Sequence, residues 1–257
     1  VLLWPDTFTD HFSPSAGQAA VQVLEAAGYQ VDLPDEPLCC ALTWISTGQL
    51  NTAKRVLRHT VDRLATLVEN DPGSEGGSPG ARAASEERAG EGRGASVLVG
   101  LEPSCLAVLR HDALALLGAD DPAAVVVARA ARTLAEVLEA TPGWAPPDLS
   151  GVVAVAQPHC HQHAVLGWGA DRDLLAQAGA EVTAVGGCCG LAGNFGAERG
   201  HYDVSVAVAE TALLPAVRAA GPDAVVLADG FSCRTQLDHL AGRRALHLAE
   251  LLASGRR

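Results

Sequence analysis

The chain has 257 residues, 48% hydrophobic and 19% charged, enough to bury an ample core in one large domain or two small ones. A formal net charge of −12 argues against nucleic acid or an anionic membrane surface as the main partner. No apolar run approaches the roughly 18 residues of a membrane span and no charged-then-apolar signal opens the chain, so the sequence reads as cytoplasmic and without a membrane span.

Apolar periodicity alternates strand and helix along the chain, which predicts an α/β fold of two pseudo-repeated Rossmann-like halves, each with a parallel sheet. The chain contains no methionine, even at position 1, and starts inside the strand-like run Val1-Leu2-Leu3-Trp4; this is expected of the C-terminal part of a longer polypeptide. Ser13-Pro14 reads as an N-cap with proline at the first helical position, opening a helix to about Ala27 that Gly28 ends. A second strand, Tyr29 to Leu33, delivers Cys39-Cys40; a helix covers about Gln49 to Val68, a strand Ser96 to Leu101, and Cys105 opens the next helix.

The stretch Glu69 to Ala95, rich in Gly, Ser, Pro and charge, has almost nothing to bury and is expected to be a disordered insertion in a first repeat spanning 1–140. Thr141 to Gly151 reads as a linker. The second repeat, 151–257, has strand Val152 to Ala156, then Cys160 and a helix to about Ala178, strand Glu181 to Val185, then Cys188-Cys189. Helix Tyr202 to Ala219 and strand Ala224 to Ala228 follow, and then Cys233.

Six of the seven cysteines therefore form two copies of one pattern, an adjacent pair followed after an apolar strand by a Ser-Cys step: Cys39, Cys40 and Cys105, then Cys188, Cys189 and Cys233. The seventh, Cys160, lies among imidazoles in Pro158-His159-Cys160-His161-Gln162-His163. An odd count without a secretory signal speaks for reduced thiols, and neighbouring cysteines bond poorly with each other. Vicinal thiolates can instead face one metal centre. A small buried hydrophobe is a sufficient account of any one cysteine, but not of seven in two matched sets. All of them fall just beyond strand ends, the edge where parallel α/β sheets bind ligands.

Gly186, Gly187, Gly190, Gly193 and Gly196 let backbone N–H groups approach a negatively charged cluster; Gly193 and Gly196 serve equally as turn residues. No Lys-Ser or Lys-Thr follows them, which weakens a phosphate-loop reading. His161 can complete a coordination sphere or donate a hydrogen bond to a cluster sulfur, whereas His159 and His163 read as loop or helix-face residues and His201 and His247 as structural or solvated. Glu102 can supply an oxygen ligand or cap the helix after Pro103.

Leu38-Cys39-Cys40, Leu101-Glu102-Pro103-Ser104-Cys105, His159-Cys160-His161-Gln162, Gly187-Cys188-Cys189-Gly190, Asn194-Phe195-Gly196 and Asp229-Gly230-Phe231-Ser232-Cys233-Arg234 together resemble the cysteine-rich CCG domain pair. That pair occurs in heterodisulfide reductase, in the iron–sulfur subunits of glycolate and lactate oxidases, and at the C-terminal end of fused FAD-linked oxidases. The likeness is strongest to the fused oxidases of D-2-hydroxy acids such as D-lactate or D-2-hydroxyglutarate. It implies an iron–sulfur electron-transfer module whose cofactor is an iron–sulfur cluster, a noncubane 4Fe–4S form among them, or zinc. It also implies FAD in an upstream domain or partner subunit, and a downstream electron acceptor.

Against the family pattern the first half lacks an opening cysteine in Pro5-Asp6-Thr7, has Ala41 for glycine and Glu102 where the closing Cys-x-x-Cys would begin. The second half keeps Cys160, Cys188, Cys189 and Cys233, with Gly230 for the other member of its closing pair. Four thiols can hold an iron–sulfur cluster or a tetrahedral zinc, which makes the second half the better site. Two other functions stay open, a structural or docking zinc domain and a thiol–disulfide redox protein; the missing Cys-x-x-Cys spacing counts against the latter.

Overall fold

The opening apolar run becomes β1 (Leu2–Trp4), buried on both faces, as strands of a covered parallel sheet are. The computed structural model describes residues 1–69 and 97–255, so nearly all of the expected insertion lies outside the described residues. The chain divides into two compact units, Val1–Trp144 and Ala145–Arg257, each α/β with a small parallel sheet.

In the first unit β1 pairs with β2 (Leu98–Gly100), and β2 with β3 (Ala131–Arg132). On the other side of β1 the expected strand Tyr29 to Leu33 shrinks to a single bridge, Asp32 to Leu2. Pro34 and Pro37 follow it closely and cannot donate to a ladder, which stops the pairing. Asp6 caps the short α1 (Thr7–Phe12), its carboxylate accepting from the N–H groups of Phe8 at 2.8 Å and Thr9 at 3.2 Å. Ser13 does not cap α2 (Pro14–Ala26) through its side chain, contrary to expectation; it also terminates α1, its N–H donating to the Phe8 carbonyl.

α3 (Leu42–Ser46) and α4 (Leu50–Glu69) follow the cysteine pair, and α4 turns Ala53, Leu57, Val61, Leu64 and Val68 into the core at helical spacing. After β2, α5 (Pro103–Ala107) runs through a wide turn, Val108–Asp112, into α6 (Ala113–Leu117); α7 (Pro122–Ala130) and α8 (Leu134–Glu139) complete the unit.

In the second unit β4 (Val153–Ala156) lies between β5 (Glu181–Ala184) and β6 (Val225–Leu227), all parallel, and Leu246 bridges to Leu227 at the far edge. The expected helix from Cys160 to Ala178 is broken. A wide turn, Gln162–Leu166, ends at Gly167 with φ +85°, and α9 (Gly169–Gln177) starts afresh. The expected helix Tyr202 to Ala219 is two, α10 (Tyr202–Thr211) and α11 (Leu213–Ala219), joined at Ala212. Pro215 explains the break: it lacks an N–H for the carbonyl of Thr211, four residues back, and its ring would collide with it. α12 (Phe231–Ala241) and α13 (Leu248–Ser254) close the unit.

The repeat goes further than the cysteines. Asp32, β1, β2 and β3 correspond in order to β5, β4, β6 and Leu246. Each last strand position runs into a helix with a capping box, Thr133 with Glu136 and His247 with Glu250. Because β5 and β6 flank β4, the chain leaves β4 in both directions, and the carboxyl end of β4 is a topological switch point.

Candidate metal centre

Strand ends deliver the second unit's thiols to one sheet edge. The loop after β4 carries Cys160, the Gly186-Gly187 turn after β5 carries Cys188-Cys189, and Cys233 sits on the first turn of α12 beyond β6. Cys189 and Cys233 are embedded with Val155, Val226 and Leu237, Cys188 is half-buried and Cys160 is exposed. Their thiols interact in a chain, Cys160 with Cys188, Cys188 with Cys189, and Cys189 with Cys233. The fold thus brings together the four residues that spacing singled out.

This crowding polarises the group. Cys188 is held well below the usual thiol range, first by Cys160 and Cys189 donating to it and then by the Gly190 N–H, 3.3 Å from its sulfur. Cys160 is pushed up chiefly by its bond to Cys188, and Cys189 by Cys188, Cys233 and burial. The set shares one readily formed thiolate, and a bound metal would have to displace the remaining protons. Four soft donors, one of them a thiolate already held by a backbone N–H, suit a cluster or a zinc ion.

Glycine has distinct uses here. Gly190 has φ +91°, and a Cβ on it would overlap the carbonyl oxygen of Ser205 on α10. Gly196 likewise packs on the Ser205 side chain, so it is a close-approach residue rather than a free turn. Gly187, φ +92°, contributes its carbonyl, which accepts from Gln157 Nε2 at 2.9 Å.

His159 is buried, 5% exposed, and it stacks at 5.1 Å on the partly exposed His161. The His161 N–H donates to His159 Nδ1 at 3.2 Å. Burial, then the neighbouring His161, pushes the His159 pKa down to about 4, so its ring is neutral at pH 7. Gln162 fixes the loop: its Oε1 accepts from the His159 N–H at 2.7 Å, and its Nε2 reaches Asp229 at 3.4 Å. Asp229 in turn accepts from the Leu248 N–H at 2.8 Å and faces His247 at 3.5 Å. Sequence reasoning misses this support, although Gln162 lies inside the His/Cys run. Of the remaining histidines, His247 caps α13, His201 stacks on Phe195 at 4.3 Å, and His163 lies in the turn after Cys160.

The first unit repeats the placement with fewer donors. Cys40 and Cys105, both buried, have their sulfurs 2.9 Å apart, and Cys39 is half-buried beside them. Ala41 takes the left-handed conformation that Gly190 has in the other unit, φ +64°, and its N–H points to Cys39 at 3.5 Å. Cys40 lowers the pKa of Cys105, but burial and the charges of Asp6, Glu102 and Cys39 outweigh it and push Cys105 up to about 12. Cys39 and Cys40 are pushed up as well, chiefly by hydrogen bonds to Cys40 and Cys105 respectively. Glu102 is buried at the N-cap position of α5 without a side-chain cap bond; its carboxylate accepts from Ser104 Oγ at 2.7 Å. This unit thus offers three thiols with carboxylates nearby, against four thiols in the second unit.

Residues 6–72 match the family model of the cysteine-rich domain, CCG. The match falls on the unit with fewer thiols. "Lactate utilization protein A" of an Exiguobacterium species is 26% identical over 273 aligned residues, covering 99% of this chain and 97% of that protein. The proteins of the same name from Bacillus cytotoxicus and Bacillus thuringiensis are 29% identical over 62 residues, 24% of this chain, and the matched stretch spans only 26% of their length. No solved structure matches. No helix among the described residues is long and apolar enough to cross a membrane. Residues 6–72, which hold the pair Cys39-Cys40, are thus similar to the CCG cysteine-rich domain.

Proposed function

We propose that the chain is an iron–sulfur electron-transfer module in lactate oxidation, with the metal centre in the second unit. The observation that carries the reading is the linked set Cys160, Cys188, Cys189 and Cys233 at the carboxyl edge of one parallel sheet. The full-length likeness to a protein named for lactate utilization supports the substrate. A bound cluster supplies a one-electron acceptor and donor. The chain's own part is to hold the sulfurs, give Gly190 N–H to Cys188 and keep Cys189 and Cys233 dry. Cysteine-bound metal offers no hydride acceptor for an alcohol, so the reading places a flavin, FAD in an upstream domain or a partner subunit, between the 2-hydroxy acid and this module. The lack of a Cys-x-x-Cys spacing among the seven cysteines counts against the thiol–disulfide alternative.

Anaerobic purification followed by iron, zinc and acid-labile sulfide analysis tests the assignment. Stoichiometric iron and sulfide are expected, lost in Cys189→Ser while far-UV circular dichroism stays α/β. Zinc without sulfide would move the reading to a structural or docking domain. Metal kept at full stoichiometry by Cys189→Ser would overturn the site. With the metal-loaded protein, dye reduction by D-lactate should require an added flavoprotein; turnover by the chain alone would sink the electron-module reading.

A further inference from the structure

The first unit holds three thiols that the proposed electron transfer does not use, and the fold presses two of them together. Cys40 and Cys105 are both buried, and their sulfurs lie 2.9 Å apart across 65 positions of chain. That is within about 0.9 Å of a disulfide bond, which is about 2.05 Å long. Both partners are held from outside. Trp4 Nε1 of β1 donates to the Leu38 carbonyl at 3.0 Å, and Thr60 Oγ1 of α4 donates to the Cys39 carbonyl at 2.8 Å, which clamps the cysteine loop on two sides. Cys105 lies in α5, every residue of which is buried. Two thiols fixed in this way react as an intramolecular pair, and little motion is needed to join them.

Cys39 is half-buried and bonded to Cys40, which is bonded in turn to Cys105, so the three sulfurs form a chain that leads inward. In the second unit the corresponding Cys189 and Cys233 belong to a group of four thiols; in the first the loop after β1 is Pro5-Asp6-Thr7 and brings no thiol. The charges of Asp6 and Glu102 oppose a thiolate at Cys105, whereas a disulfide is neutral and sets no charge beside them.

We propose that Cys40 and Cys105 are a redox-sensitive dithiol that closes to a disulfide, with Cys39 as the thiol through which the oxidant enters. The oxidant is a low-molecular-weight disulfide of the glutathione class. Cys39 attacks one of its sulfurs, forming a mixed disulfide and releasing one small thiol, which takes the Cys39 proton. Cys40 then displaces the second small thiol from Cys39. The resulting bond between neighbours is strained, and Cys105 opens it by bonding to Cys40 and returning Cys39 as a thiol. Two electrons and two protons pass from Cys40 and Cys105 to the oxidant, which leaves as two thiols. No substrate disulfide is turned over; the bond is a reversible state of the first unit that ties the cysteine loop to α5, and it does not rest on the metal-centre reading.

The full chain, zinc-loaded and reduced, is freed of reductant under nitrogen, incubated with oxidised glutathione, alkylated and mapped after trypsin. A disulfide joining peptides 1–54 and 94–110 is expected. Cys40→Ser and Cys105→Ser should each abolish it, and Cys39→Ser should slow its formation at least tenfold, on the order expected for loss of an accessible attacking thiol, with the final yield unchanged. The thermal midpoint of the oxidised wild type should lie at least about 5 °C above that of the reduced protein, a difference absent in Cys105→Ser. No link in the wild type, a link formed only in denaturant, or a link kept by Cys40→Ser would overturn the proposal. A second zinc equivalent that shields Cys40 and Cys105 from glutathione would overturn it in favour of a metal site in the first unit. An unchanged rate in Cys39→Ser would strike out the entry role of that residue. The wild-type peptide map decides the matter even if a variant does not fold.

Discussion

Both units place a vicinal cysteine pair on a left-handed turn whose third residue gives its N–H to the first sulfur, Ala41 to Cys39 and Gly190 to Cys188. In the first unit that residue carries a methyl group, fully buried, at φ +64°. In the second nothing larger than hydrogen fits, because the Ser205 carbonyl stands where a Cβ would go. The same hydrogen bond is therefore built on a turn with room for a buried methyl in one unit and on a turn pressed against α10 in the other. Close packing of the second turn keeps its sulfurs in fixed positions, which a metal centre needs.

The largest expected effect breaks this contrast directly. Gly190→Ala adds a clash with backbone to a positive φ, and should cost more than about 3 kcal/mol or abolish folding of the second unit. Ala41→Gly relieves a left-handed alanine worth about 1–2 kcal/mol but gives up a buried methyl and adds chain entropy of similar total size, so stability should change by less than about 1 kcal/mol. Denaturant unfolding of both variants checks it; equal costs would remove the distinction between the turns.

Cys105 sharpens the comparison through pH. Its folded pKa is raised above that of an unfolded cysteine, so the folded protein holds the proton more tightly. The contribution is fully present below about pH 8.5 and is lost as pH rises toward about 12, with a slope of up to about 1.4 kcal/mol per pH unit. Metal-free protein should thus lose first-unit stability in alkali, and Cys105→Ala should flatten the dependence. A midpoint that falls equally in that variant would assign the effect to other groups.

Much of this is readable in the residues. Apolar runs locate β1, β2, β4 and β6, because a buried strand in parallel sheet must be continuously apolar, and all of these but β1 lead into a loop or helix start with a cysteine; β5, Glu181–Ala184, is largely exposed and is marked instead by the Gly-Gly-Cys-Cys that follows it. What escapes depends on contacts distant in the chain. Nothing local to Tyr29 to Leu33 shows that only Asp32 meets β1, though Pro34 and Pro37 carry a warning. Nothing near His159 shows that Gly230, 71 positions later, would leave room for its ring. Pro215 is a local signal that is easily passed over, since its break in the helix falls four residues upstream of it.

One part of the repeat is visible in the residues without standing out, and it gives the smallest of the expected effects. Leu134-Ala135-Glu136 and Leu248-Ala249-Glu250 are the same three residues after the last strand position of each unit, preceded by Thr133 in one and His247 in the other. In both, the third residue's carboxylate returns to the cap N–H, at 2.7 Å for Glu136 and 2.9 Å for Glu250. Thr133 Oγ1 accepts from the Glu136 N–H at 3.2 Å and its loss in Thr133→Ala should cost about 1 kcal/mol, the usual worth of a helix cap. His247 does more, because its Nδ1 accepts from the Ala249 N–H at 3.0 Å while Nε2 faces Asp229, the carboxylate that also receives Gln162 from the His159 loop. His247→Ala should accordingly cost more than Thr133→Ala and, unlike it, lower metal retention in the second unit. Equal thermal shifts with metal content unchanged in both variants would show that the cap is merely structural and that the path from α13 to the thiols carries no strain.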